Sequence, residues 1–206
     1  MRERPMLFSG EMVRAILDGR KTQTRRVVKR WTAYALESGI KVERAYYLSG
    51  DRLWVRETFR PWHDVDYDCG CGGDYCTCNH TPQTPVCYAA DRDGRINADE
   101  RAVGIKWTPS IHMPRKYSRI LLEITDVRIE RLQEISEADC RAEGIIDGGC
   151  LACGENEPYG CANPRPDARD AFVRLWNSLA KPGFRWADNP FVWRIEFKRV
   201  EAACRA

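Results

Sequence analysis

Hydrophobic positions along this chain follow two rhythms, and the switches between them mark out the elements. Near the start, Met12, Val13, Ile16 and Leu17 recur at the spacing of one helix face. Ser9 stands where a cap belongs and Gly19 where a helix ends in a left-handed residue. "TRRVVKRW" then reads as a strand leaving that corner. "DRLWVRETF" alternates, with Leu53 and Val55 on one face and Trp54 and Arg56 on the other. "SRILLEITDVRIERL" predicts one strand through Ile120, Leu122 and Ile124 and a second around Val127 and Ile129. "SEADCRAEG" predicts a short helix with Ser136 and Asp139 as a capping pair and Gly144 at its end. "DARDAFVRLWNSLA" opens on Asp167 and Asp170, and its Phe172, Leu175, Trp176 and Leu179 form a packing stripe. "PFVWRIEFKRV" predicts a last strand with Phe191, Trp193, Ile195 and Phe197 inward.

Strands outnumber helices and lie scattered between them. That pattern predicts an α+β, mainly β fold, a small β-barrel or curled sheet with helices on its rim. Two stretches, 61–100 and 146–166, are rich in Gly, Pro, Asp and Cys and lack periodicity. No linker separates two self-sufficient cores, so both read as insertions into one domain covering 1–206.

Composition adds the class of protein. With 206 residues, 43% of them hydrophobic and seven tryptophans, the chain has enough apolar surface for a substantial core. It contains no apolar run of about 18 residues, and "MRERPMLFSG" lacks a signal-peptide core, so a soluble, cytoplasmic protein without membrane partners is expected.

The net charge of +3 hides an uneven distribution. Residues 1–30 hold nine Lys or Arg against three acids, a local +6 that leaves −3 for the rest. Such a field suits an anionic ligand or a polynucleotide backbone, and equally a solvated charged face.

Most of the ten cysteines fall in the two insertions. "CGCGGDYCTC" supplies Cys69, Cys71, Cys76 and Cys78, with Cys87 nearby, and "CLACGENEPYGC" supplies Cys150, Cys153 and Cys161. A cytoplasmic chain seldom keeps disulfides, and the CxxC spacing of Cys150 and Cys153 lets two thiolates meet one tetrahedral ion. Structural zinc is the favoured reading, with His63 and His80 as extra candidate ligands. Reduced surface thiols are the plain alternative, and an iron–sulfur cluster is a weaker one.

The densest chemistry lies in "LDGRKTQTRR", from Leu17 to Arg26. Preceded by its short helix, this stretch resembles the signature of the ASCH superfamily, a branch of the PUA-like barrels. "GDRLWVRETF", "WTPSIHMPRKYSRI", "LLEITDVRIERLQEISEADCRAEGI" and "NPFVWRIEFKRV" resemble the larger, phage-associated members of that group. The resemblance implies an ASCH-type barrel. Small bacterial ASCH enzymes hydrolyse the amide of N4-acetylcytidine with a lysine, a threonine and a glutamate. Carried over to this chain, the base falls on Lys21 and the nucleophile on Thr24. The glutamate falls on Glu143, in "DCRAEG". No cofactor is implied for that catalysis.

The residue chemistry is compatible with those roles. A threonine hydroxyl attacks only while a base removes its proton. Lys21 qualifies if burial and the crowding of Arg20, Arg25 and Arg26 bring its pKa well below about 10.4. Lys21 and Thr24 are three residues apart, so in a regular strand they would face opposite ways, and the backbone must turn between them. Gln23 is expected to face away from the pocket. Arg20 and Arg26 are candidates to bind an anionic part of the substrate, Trp107 to stack on a base, and Glu57 to read a base edge. Trp107 is equally a buried structural residue, and His112 reads better as structural than as catalytic.

Three functions follow: an amidohydrolase acting on an acylated or otherwise modified nucleoside, an RNA-binding PUA-like module without chemistry, or a ribonuclease. The lysine–threonine–glutamate set favours the first.

Overall fold

In a computed structural model, residues 1–28, 46–61, 86–92, 106–146 and 168–200 are described. The strands are β1 (Glu3–Leu7), β2 (Gln23–Val27), β3 (Arg52–Arg56), β4 (Phe59–Pro61), β5 (Val86–Tyr88), β6 (Leu121–Arg131) and β7 (Phe191–Val200). The helices are α1 (Gly10–Leu17), α2 (Glu137–Ala142) and α3 (Ala168–Leu179). Ser9 caps α1 as its position predicts, accepting from the Met12 amide at 3.4 Å, and Val13 and Ile16 are buried. Gly19, at φ 75°, turns the chain from α1 toward β2 in a conformation that a side chain would strain.

Among the described residues five strands form one sheet, ordered β1-β3-β6-β7-β2, and β4 pairs with β5. β1 runs parallel to β3, with Glu3 beside Arg52 and Leu7 beside Arg56. β2 runs antiparallel to β7, with Gln23 opposite Glu196 and Val27 opposite Val192. The fold is thus mainly β and α+β, as the pattern predicts. Among the described residues the sheet does not close into the expected barrel, and β1 and β2, each of five residues, are its edges.

Three local expectations need correction. The strand predicted to break after Ile124 runs on to Arg131 as one element, because "TDV" contains neither Gly nor Pro to end it. β7 buries both faces, since Val192 is as inaccessible as Ile195. The α3 stripe stops at Trp176, and Leu179 is 67% exposed. The expected insertions, 61–100 and 146–166, lie outside the described residues except for 61, 86–92 and 146.

Contacts divide the chain into two units. The first comprises 1–17, 52–122 and 199–206; in it Phe59, Val86, Tyr88 and Met113 form a buried cluster against Tyr117. The second comprises 18–51 and 123–198; its core is Leu132, Ile135, Cys140, Ala168, Phe172 and Val192, with Trp176 and Trp186 packed on it. Cys140 belongs to that core, and burial pushes its thiol up to about 12, so it packs and does not react. No helix among the described residues is long and apolar enough to cross a membrane.

α2 positions much of the site and depends on its start. Ser136 Oγ accepts from the Asp139 amide at 3.1 Å, and the Asp139 carboxylate accepts in return from Ser136. Ser136→Ala is expected to cost about 1 kcal/mol, read as a lower urea midpoint with an unchanged slope.

Candidate functional site

Lys21 sits just before β2, where the chain is pinned on two sides. It forms an isolated antiparallel bridge with Glu143, Thr22 donates its amide to Ala142 O at 2.8 Å, and Phe197 donates to Thr22 O at 2.9 Å. Glu143 is held there by the end of α2. It keeps helical backbone angles, and Gly144 at φ 88° stops the helix behind it. The Lys21 ammonium donates to Glu143 twice, to the backbone oxygen at 2.8 Å and to Oε2 at 2.6 Å. A helix C-terminus, with its partial negative charge and a carboxylate beside it, is a favourable seat for a cation.

This pair is almost sealed, with Lys21 2% and Glu143 6% exposed. Burial lowers the proton affinity of Lys21 below the usual lysine value. The charge and hydrogen bond of Glu143 oppose that effect, and Arg26 and Arg25 add to it. The net direction is down. Burial likewise lowers Arg26, against the opposing charges of Glu143 and Tyr47.

Lys21, Gln23 and Arg25 share a network that also draws in α2, β6 and β7. Arg25 donates Nη1 to Glu143 Oε1 at 3.2 Å and Nε to Glu130 Oε1 at 2.8 Å, and its Nη2 lies 3.5 Å from Asp139. Gln23, expected to face away, is buried instead. It donates to Asp139 Oδ1 at 3.0 Å and accepts from Arg25 at 3.4 Å and Arg194 at 3.3 Å. Arg194 closes the ring on Asp139 at 3.0 Å and on Glu196 at 2.6 Å. Burial raises the Asp139 carboxyl, but hydrogen bonds from Ser136 and Gln23 and the charge of Arg194 outweigh it and leave the group below its ordinary range.

Thr24 is 3% exposed and lies opposite Ile195. Strand alternation turns it to the other face from Gln23 and Arg25, together with Arg26. Among the described residues no hydrogen bond joins its hydroxyl to Lys21 or Glu143. Arg26, on Thr24's face, nevertheless acts electrostatically on both of those groups. The turn expected between Lys21 and Thr24 does not appear among the described residues: the chain turns earlier, at Asp18 and Gly19, before Lys21 bridges to Glu143. Arg20 is exposed, paired with Asp18 at 2.8 Å and donating to Gly144 O at 3.4 Å.

Glu57 and Trp107 belong to the first unit. Glu57 is 1% exposed, and both of its oxygens accept from Arg119 at 3.0 Å. Arg119 also grips Asp91 with two bonds of 2.7 Å and lies over Tyr88, 4.0 Å from the ring centroid. Burial raises the Glu57 carboxyl, partly offset by Arg119. Trp107 is half-buried with the Arg60 guanidinium 5.5 Å from its ring centroid. His112 is exposed on a short turn. Cys69, Cys71, Cys76, Cys78, Cys150, Cys153 and Cys161, with His63 and His80, lie outside the described residues.

Sequence reasoning named Arg25 only as a charge crowding Lys21, and missed its bonds to Glu143 and Glu130 together with Glu130, Arg194 and the second role of Asp139. The alternation of Lys21, Gln23 and Arg25 was available as a signal, since three polar residues at spacing two need polar partners on whatever packs there.

The fold and site define a mainly β α+β protein with a buried lysine–glutamate–arginine centre at the entry to an edge strand. No family model matches the chain, and no curated protein matches it. Among solved structures it is similar to an ASCH domain from Lactobacillus crispatus JV V101, at 12% identity and TM-score 0.39, covering 96% of this chain and 79% of that one. It is also similar to a DUF984 protein from Enterococcus faecalis V583, at 11% identity and TM-score 0.42, covering 100% and 85%.

Proposed function

We propose that the protein is an ASCH-type amidohydrolase acting on N4-acetylcytidine or a related acylated nucleoside. The observation that carries this reading is the sealed contact between Lys21 and Glu143. It holds a lysine of lowered proton affinity three residues from the threonine of a GRKTQT motif. In the reacting form Lys21 is a neutral amine. Thr24 Oγ attacks the amide carbonyl carbon as its proton passes to Lys21. The carbon–nitrogen bond then breaks, and the leaving amine takes that proton back. Water hydrolyses the threonine ester by the same route and releases the acid. Glu143 holds the lysine amine and assists the departing nitrogen, while Arg26 and Arg20 supply positive charge for an anionic part of the substrate.

Two consequences test the base. The rate rises with pH as Lys21 sheds its proton through a value below 10.5, then levels off. Lys21→Arg keeps the positive charge but holds its proton throughout that range, so it is expected to fold and to hydrolyse nothing. Activity of that variant near the wild-type rate would remove Lys21 from the base role.

The complete burial of the Lys21 side chain favours one other reading, an RNA-binding PUA-like module in which the pair is structural. Salt-dependent RNA binding that survives Lys21→Arg, with no hydrolysis by the wild type, would select it.

We also propose structural zinc for the cysteine-rich segments, on their spacing alone. Elemental analysis of protein purified without added metal is expected to find zinc. Its absence, with ten free thiols and an intact fold, would refute the assignment.

A further inference from the structure

We propose that Arg25 is a positioning residue that fixes the Glu143 carboxylate and thereby sets how readily Lys21 gives up its proton. The proposal rests on the reading of Lys21 as a base. The geometry divides the carboxylate between two cations, with Oε2 going to Lys21 at 2.6 Å and Oε1 to Arg25 at 3.2 Å. The two differ in kind, because the guanidinium keeps its proton at any ordinary pH and the ammonium does not. Without Arg25 the whole carboxylate charge would act on Lys21, against the lowering that burial and Arg26 impose. With Arg25 on the second oxygen, Glu143 keeps a permanent counter-charge when Lys21 turns neutral.

Arg25 is itself built in. Its side chain is wholly inaccessible, and Glu130 from β6 takes Nε at 2.8 Å and lies 2.8 Å from Nη2. Asp139 of α2 stands 3.5 Å from Nη2, and the side chain of Gln23 accepts from Nη1 at 3.4 Å. Among the described residues, the charged groups that act on Lys21 include Glu143 at the end of α2 and Arg25 and Arg26 on β2. Those facing Arg25 are Glu143, Glu130 and Asp139, and Asp139 is in turn paired with Arg194 of β7, which also holds Glu196. Arg25 thus stands among three carboxylates, and Glu143 is the one it shares with Lys21.

The test is the titration of the Lys21 amine, followed by NMR on lysine-labelled protein and assigned with Lys21→Arg. In folded Arg25→Met the midpoint is expected to rise by about one pH unit, since a nearby like charge and a rival for the carboxylate are both gone. The pH–rate profile should move alkaline by the same amount, so that roughly tenfold activity lost at neutral pH returns at higher pH. A merely structural residue would lower the rate at every pH. Should Arg25→Met fail to fold, Arg25→Met with Glu130→Leu removes the stranded carboxylate, and its midpoint is compared with that of Glu130→Leu alone. An unchanged Lys21 midpoint in either folded variant overturns the proposal, whatever the activity. A raised midpoint in a protein whose wild type hydrolyses nothing sustains the positioning role and sinks the amidohydrolase reading.

Discussion

Thr24→Ala is expected to lower hydrolysis of N4-acetylcytidine by roughly three to six orders of magnitude, the range seen when a nucleophile is removed. The same change should leave the protein folded. The Thr24 hydroxyl has no bond to Lys21 or Glu143 to lose, and the missing methyl group costs about 1 kcal/mol at a site 3% exposed. Thr24→Ser should retain a measurable part of the rate, because the attacking oxygen remains. Steady-state kinetics beside a urea titration separate the two effects. A Thr24→Ala enzyme that works at near wild-type rate would show that the threonine is not the nucleophile.

Glu143→Leu is expected to be the most destabilising single change in the centre, by about 3–5 kcal/mol. It leaves the Lys21 ammonium and one nitrogen of Arg25 facing an apolar side chain, both nearly inaccessible. Lys21 can relieve part of that cost by losing its proton, since burial, Arg26 and Arg25 then act on it without the opposing carboxylate. Part of the lost stability should therefore return as the pH is raised toward 10.5, through the window where the unfolded chain still binds the proton and the folded chain does not. Combining Glu143→Leu with Lys21→Met should recover stability relative to Glu143→Leu alone, because an apolar pair in place of an ion pair is often neutral or better. An unchanged urea midpoint for Glu143→Leu would mean that the pair contributes nothing to the fold.

How much of this was legible in the chain differs from element to element. α1, its cap and its glycine stop are local features, each written in a few neighbouring residues, and the structure follows them. The alternation in β3 likewise marks its strand, because a half-buried ribbon needs period two. Closure of a barrel is a long-range property of edges, and no alternating run states whether two edges will pair. The exposed end of α3 has the same origin, since Leu179 fits the periodic stripe but is 67% exposed, with no packing partner over it among the described residues. In the centre, Lys21 and Glu143 were reached through motif resemblance, which spans their separation of 122 residues. Arg25 was named only as a charge crowding Lys21, and Gln23 was placed facing away from the pocket. Their importance comes from Glu130, Asp139 and Arg194, distant charges that only the pairing of β2 with β7 and the landing of α2 bring together.

The activity proposed for this centre is amide hydrolysis on an acylated nucleoside. Pure protein incubated with N4-acetylcytidine and resolved by chromatography tests it most directly. Wild-type protein is expected to release stoichiometric cytidine and acetate, with none above background from Lys21→Arg or Thr24→Ala. Unchanged substrate from folded wild-type protein across the alkaline range, where Lys21 is neutral, would contradict it.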